Sequence, residues 1–192
     1  MENKNQPLDP RQSLDLIASM ISQAQGNMSS SSFYFLLWGW VIAFCNFGMY
    51  YFHKFTNYAA YAHYVWLLGI PASIITVIYS MRQEKSKGAI THLDKIMMWL
   101  WIGMMISIFP TWMFGDKINW MVNAIVLMPI GTATFVSGIV LRFKPLLVGG
   151  IIFWISGVLC YIVSPLDQFI VGGVAMILGY LVPGYMLRNK KQ

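Results

Sequence analysis

Apolar residues along this chain gather into six stretches, each close to the roughly 20 residues a helix needs to cross the hydrocarbon core of a bilayer. They run over 33–52, 62–80, 96–114, 119–141, 145–163 and 168–187, with short polar segments between them. None contains Asp, Glu, Lys or Arg, and none alternates with the period of two that a barrel strand requires. Backbone crossing hydrocarbon must satisfy its own polar groups, so the pattern predicts helices. Short connections make consecutive helices antiparallel neighbours. The predicted fold class is all-α, a six-transmembrane-helix bundle over 33–188. An arm, 1–32, precedes it and a basic tail, 189–192, follows.

The arm has its own pattern. Asp9, Pro10 and Gln12 fit an N-cap, a proline at the first helical position and a capping-box partner. Leu14, Ile17, Ile21, Ala24 and Met28 then recur at spacings of three and four. This predicts an amphipathic helix from residue 10 to about 26, lying on the inner membrane surface or against its own bundle. Gly26 and the serines Ser29 to Ser32 are expected to end it, with Ser32 free to cap the first span. The stripe Leu14, Ile17 and Ile21 is also the candidate docking face for a protein partner or a second copy, with loop 81–95 as the other candidate surface. At two heptads it is short for a coiled coil.

Composition narrows the class further. Of 192 residues, 57% are hydrophobic and 10% charged, against roughly 45–50% and about 25% in soluble domains. Two cysteines exclude a disulfide-built scaffold. The net charge of +6 does not indicate nucleic acid, because the basic residues lie between the spans. Eleven of the 13 fall in the arm, in loop 81–95, at Arg142, Lys144 and Arg188, and in the tail, leaving Lys54 and Lys117 for the opposite side. Under the positive-inside rule both termini are cytoplasmic. The first 32 residues lack a basic flank followed by an apolar run, so span one is expected to be an uncleaved anchor. Tyr50, Tyr51, Tyr58, Tyr61, Tyr64, Trp66, Trp112 and Trp120 sit where an interfacial aromatic belt belongs.

Candidate chemistry within the spans is sparse. Pro71 stands near Gly69 in span two and Pro129 near Gly131 in span four, each proline removing one backbone hydrogen bond. Such kinks are ordinarily shielded by neighbouring helices, but paired interrupted spans are also the best sequence pointer to a transporter site. Asn46 should face another helix, since an amide facing lipid would leave its hydrogen-bonding positions unmet. It joins Thr76, Thr132 and Thr134 as the polar groups a midplane cavity would expose. Gly39 and Ala43, Thr134 and Gly138, and Ala175, Gly179 and Pro183 recur at four-residue spacing as close-packing seams.

Met97, Met98, Met104 and Met105 are soft sulfur ligands in kind, yet without Cys or His on that span they read as packing. Cys45 and Cys160 read as small hydrophobes, and His53 and His63 are too few for a metal site. Thr91 and Asp94 resemble a capping box for span three. No nucleophile–base pair, zinc motif or intramembrane carboxylate is recognisable, so no cofactor, metal or catalytic residue is expected.

Three stretches resemble a known group. Leu36-Leu37-Trp38-Gly39-Trp40-Val41, the run Arg142 to Gly150, and Gly179-Tyr180-Leu181-Val182-Pro183-Gly184-Tyr185 are similar to a family of small six-span inner-membrane proteins of Bacteroidetes-type bacteria. The resemblance covers most of the chain, arm included. It implies the architecture and a bacterial inner-membrane setting, and carries over no catalytic or binding residue. The expected function is a non-enzymatic sensor, regulator or accessory subunit acting through a partner. The alternative is a small transporter of an apolar or zwitterionic solute using kinked helices two and four. Met, Phe and Leu in the cores favour a bundle filled solid, and a continuous midplane pocket of roughly 300 Å³ or more, lined by polar groups such as Asn46, Thr76, Thr132 or Thr134, would favour the transporter.

Overall fold

The computed structural model describes residues 10–87 and 92–189, with side chains over 32–83 and 94–189. Every regular element among them is helical. The elements are α1 (Pro10–Phe55), a 3₁₀ segment (Ala59–Leu68), α2 (Gly69–Lys87), α3 (His92–Met113), a 3₁₀ turn (Gly115–Ile118), α4 (Val122–Val140), α5 (Lys144–Cys160), α6 (Gln168–Met176), a π segment (Ile177–Leu181) and α7 (Val182–Asn189). Five helical stretches are long and apolar enough to cross a membrane: Ser32–Phe55, Ala59–Gln83, Asp94–Met113, Val122–Val140 and Gln168–Asn189. Lys144–Cys160 is equally apolar but shorter, at 17 residues. The all-α bundle expected from the pattern is what forms.

α1 corrects one expectation. Gly26 and the serines do not end the arm's helix, which runs unbroken for 46 residues from Pro10 to Phe55. Serine costs a helix only about 0.5 kcal/mol and glycine about 1 kcal/mol. No proline follows Pro10 before Pro71 to force a stop. Being continuous with span one, the arm follows that span's axis and has no break at which to turn into the membrane plane. Asp9, Thr91, the tail 190–192 and the side chains of Leu14, Ile17 and Ile21 lie outside the described residues.

The helices form an open ring. α2 packs on α1, α1 on the α6–π–α7 span, that span on α4, and α4 on α3, with α5 backing α4 and the sixth span. α4 against α5 is the most extensive contact. It is possible because Gly131 and Gly150 face each other. A Cβ on Gly150 would stand 2.8 Å from the Gly131 carbonyl. α5 meets the sixth span as closely, with the Gly179 carbonyl 2.5 Å from where a Gly149 Cβ would be. The π segment lies just before Pro183, which cannot donate its own backbone bond, and Val182 N–H reaches back five residues to Ile177.

The ring does not close between α2 and α3. Sequence neighbours were expected to pack, yet these two stand apart along their length. Only 6% of the Ala59–Gln83 and Asp94–Met113 windows is buried, against 50% and 56% for spans four and six. Trp66 and Trp112 bridge the gap at one end, edge to face with centroids 5.3 Å apart. Partway along, Trp101 of α3 reaches the opposite wall, edge-on to Phe35 and Tyr180 at 6.1 and 6.4 Å.

Candidate functional site

The gap encloses a cleft of about 1570 Å³, which corrects the expectation of a solid bundle. Its walls differ. From α2 come Gly69, Thr76, Ser80 and Gln83, at spacings of seven, four and three that put them on one helical face. The other face of α2 presents exposed Ile70, Ile74, Ile75, Val77, Ile78 and Met81. The helix is thus amphipathic with its polar stripe turned inward.

Opposite stands a wall of aromatic and thioether groups. Met97, Met98, Trp101, Met104, Met105 and Trp112 of α3 face the cleft, with Phe35, Trp38 and Ile42 of α1 and Val126 and Ile130 of α4. Five of the eight tryptophans line this one space. The four α3 methionines line this wall, and Met104 also packs against the core, as expected. Such side chains adapt to irregular apolar shapes. Trp38 Nε1 donates to Thr76 Oγ1 at 3.1 Å, and Thr76 itself donates to the Ala72 carbonyl at 2.8 Å.

Polarity rises along the cleft. The end closed by Trp66 and Trp112 is apolar apart from Asn123. The far end, where the basic residues collect, is rimmed by Ser80, Gln83, Asp94, Lys95 and Arg142. Arg142 occupies the left-handed region at φ 50°. Its N–H bonds the Ile139 carbonyl at 3.1 Å and the next N–H, that of Phe143, reaches the Gly138 carbonyl at 2.9 Å. This is a Schellman ending to α4, with arginine at the position glycine favours. A side chain there costs about 1–2 kcal/mol.

The closed end carries a buried polar cluster. Asn123 Nδ2 donates to Asn46 Oδ1 at 2.8 Å and to the Gln168 carbonyl at 3.3 Å, while Asn46 Nδ2 donates to the Ile42 carbonyl at 2.9 Å. Gln168 Oε1 accepts the Asn123 backbone N–H at 2.9 Å, and its Nε2 donates to the Trp120 and Pro165 carbonyls at 2.8 and 2.7 Å. Asn46 and Gln168 are fully buried. The cluster pins the start of α4 to α1 and to the loop before α6, and it is satisfied within itself. Asn123 and Gln168 fell inside or at the edge of predicted spans and were not singled out. Their polarity at membrane depth was the available signal.

Among the positions proposed from the sequence, the structure brings Gly69 and Thr76 into the cleft. It turns the others elsewhere. Asn46 faces Asn123. Gly131 and Thr134 are buried, Gly131 against Trp154 of α5 and Thr134 donating to the Ile130 carbonyl at 2.7 Å. Thr132 is exposed, donating to the Met128 carbonyl and accepting from Trp154 Nε1 at 3.3 Å. Pro129 is half-buried within α4, and Pro71 is exposed beside the change from 3₁₀ to α-helix. Gly131, beside Pro129, therefore faces α5 and not the cleft. His53 and His63 are exposed, and no group of three potential metal-binding residues comes together among the described residues.

Comparison of the chain with protein families, with curated proteins and with solved structures finds no match.

Proposed function

We propose that this membrane protein binds a chain-like amphipathic molecule that enters sideways from the bilayer between α2 and α3. The observation that carries the reading is the inward polar stripe of α2 facing an aromatic and thioether wall, in a cleft closed at one end and polar at the other. A partner's membrane-spanning helix fits this shape poorly. Such a helix is about 10 Å wide and crosses the whole bilayer, whereas Trp66 and Trp112 meet across the gap at one end. A single flexible chain with a polar head needs only one open end.

The reading draws on both expectations from the sequence, since binding is the step shared by a transporter and a regulator that responds to a ligand. The distribution of basic residues supports placing the open, polar end on the cytoplasmic side of a bacterial inner membrane.

Gly69 supplies the test. It lines the cleft, and nothing lies within 4 Å of where its Cβ would be. A side chain introduced by Gly69→Phe therefore starts in open space on the cleft wall. Protein purified in mild detergent should retain a long-chain amphipath detectable by native mass spectrometry. Gly69→Phe should lose it while melting at an unchanged temperature. Equal retention by both proteins, or none by the wild type, overturns the reading.

A further inference from the structure

The rim charges are not needed to build the fold. Arg142 stands at a turn position that glycine fills without steric cost, and Lys95 is an exposed residue in the first turns of α3. They come from different elements, yet both line the open end of the cleft, with Gln83 and Ser80 of α2 there as neutral donors. Asp94 lines the same rim and has interactions of its own. Among the described residues, two cations and one carboxylate leave the rim net positive.

We propose that this rim recognises the phosphate-bearing anionic head of a membrane lipid whose chain lies in the cleft. The inference rests on the binding reading above and adds the chemistry of the head. A guanidinium offers parallel donors in a fixed fork, and an ammonium offers a compact charge. A tetrahedral phosphate presents oxygens in several directions, so donors on α2, on α3 and at the α4–α5 turn can meet it together. A planar carboxylate serves donors lying near one plane. The rim sits where a head group would emerge from an apolar chain seated between the Met and Trp wall and the α2 stripe. Keeping arginine at a left-handed position sets the cost of the backbone against the use of its charge.

The experiment offers purified protein an equimolar mixture of phosphatidylglycerol and phosphatidylcholine with identical acyl chains, and counts the retained lipid by native mass spectrometry. Phosphatidylglycerol should exceed phosphatidylcholine about tenfold, the ratio expected from one charge-assisted contact. Arg142→Gly and Lys95→Gln should each bring that ratio close to one. Arg142→Gly should also melt at an equal or higher temperature in lipid-free detergent, which a merely structural arginine would not allow.

Equal retention of the two lipids by the wild type overturns the head-group inference and leaves the cleft reading standing. So does an undiminished ratio in both variants. Displacement of phosphatidylglycerol by equimolar inorganic phosphate also overturns it, naming free phosphate as the ligand. Retention of neither lipid, with Gly69→Phe behaving as wild type, removes both readings.

Discussion

Asn123 and Asn46 share a hydrogen bond of 2.8 Å between two helices, α4 and α1, whose backbones barely approach each other. In lipid the apolar face of a helix gains little by meeting another helix instead of acyl chains, so polar bonds and close packing set which helices stay together. Here the pair joins α1 and α4, which both belong to the wall opposite α2. Asn123→Ala leaves Asn46 Oδ1 buried without its donor and should destabilise the protein by about 1–2 kcal/mol. The double variant Asn46→Ala/Asn123→Ala should cost less than the sum of the single changes. Unfolding in a detergent titration measures this, and strict additivity would show that the bond does not couple the helices.

Glycines in this fold divide sharply by surroundings. Gly149→Ala drives a methyl group onto the Gly179 carbonyl, a backbone atom that cannot swing away. A loss of about 1–3 kcal/mol is expected. Gly103→Ala on α3 meets nothing within 4 Å and should gain up to about 1 kcal/mol from helix propensity. Thermal melts of the two variants should move in opposite directions.

Trp112 closes the end of the cleft against Trp66. Cys45 lines the cleft and Cys160 does not, although both are free and buried. Trp112→Ala should speed modification of Cys45 by a small membrane-permeant maleimide and leave Cys160 unchanged, as read by peptide mass spectrometry. Equal rates at Cys45 before and after the substitution would show that the tryptophan pair is no barrier.

Orientation has a direct test. In a background with Cys45 and Cys160 replaced by serine, Asn57→Cys and Lys117→Cys should react with an impermeant thiol reagent applied to intact cells. Arg82→Cys should be spared. Labelling of Arg82→Cys from outside would reverse the assignment of the basic end.

Much of this architecture was legible from residue patterns, and the reasons for the rest are physical. Apolar length located the spans, and small residues such as Gly39, Gly138 and Gly179 marked the seams where helices meet. The polarity of Asn46 correctly required a facing helix. The cleft was not visible in the same way, because an apolar side chain reads alike whether it meets lipid, another helix or an empty space. Trp101 and Met104 could have been core or wall on composition alone. One signal was available and lay within α2: Thr76, Ser80 and Gln83 share a face, with Ile74, Ile75, Val77 and Ile78 on the others. The prolines point instead to α4, where Gly131 next to Pro129 packs against Trp154 of α5. The unbroken α1 was hidden for another reason. Serines and glycine favour helix ends, but they weight the equilibrium by only a few tenths of a kcal/mol to about 1 kcal/mol each and do not dictate it.

The unbroken α1 has a mechanical consequence. Residues 10–31 continue the axis of span one for 22 positions, about 33 Å at the α-helical rise. With no joint between them, any tilt of the span is transmitted along the rod without slack. A tilt of about ten degrees would sweep its tip through roughly 6 Å, by the same geometry. Span one also carries Phe35, Trp38 and Cys45 along the cleft. Any tilt of span one set by what fills that space would therefore be carried by a stiff lever to the far end of the arm.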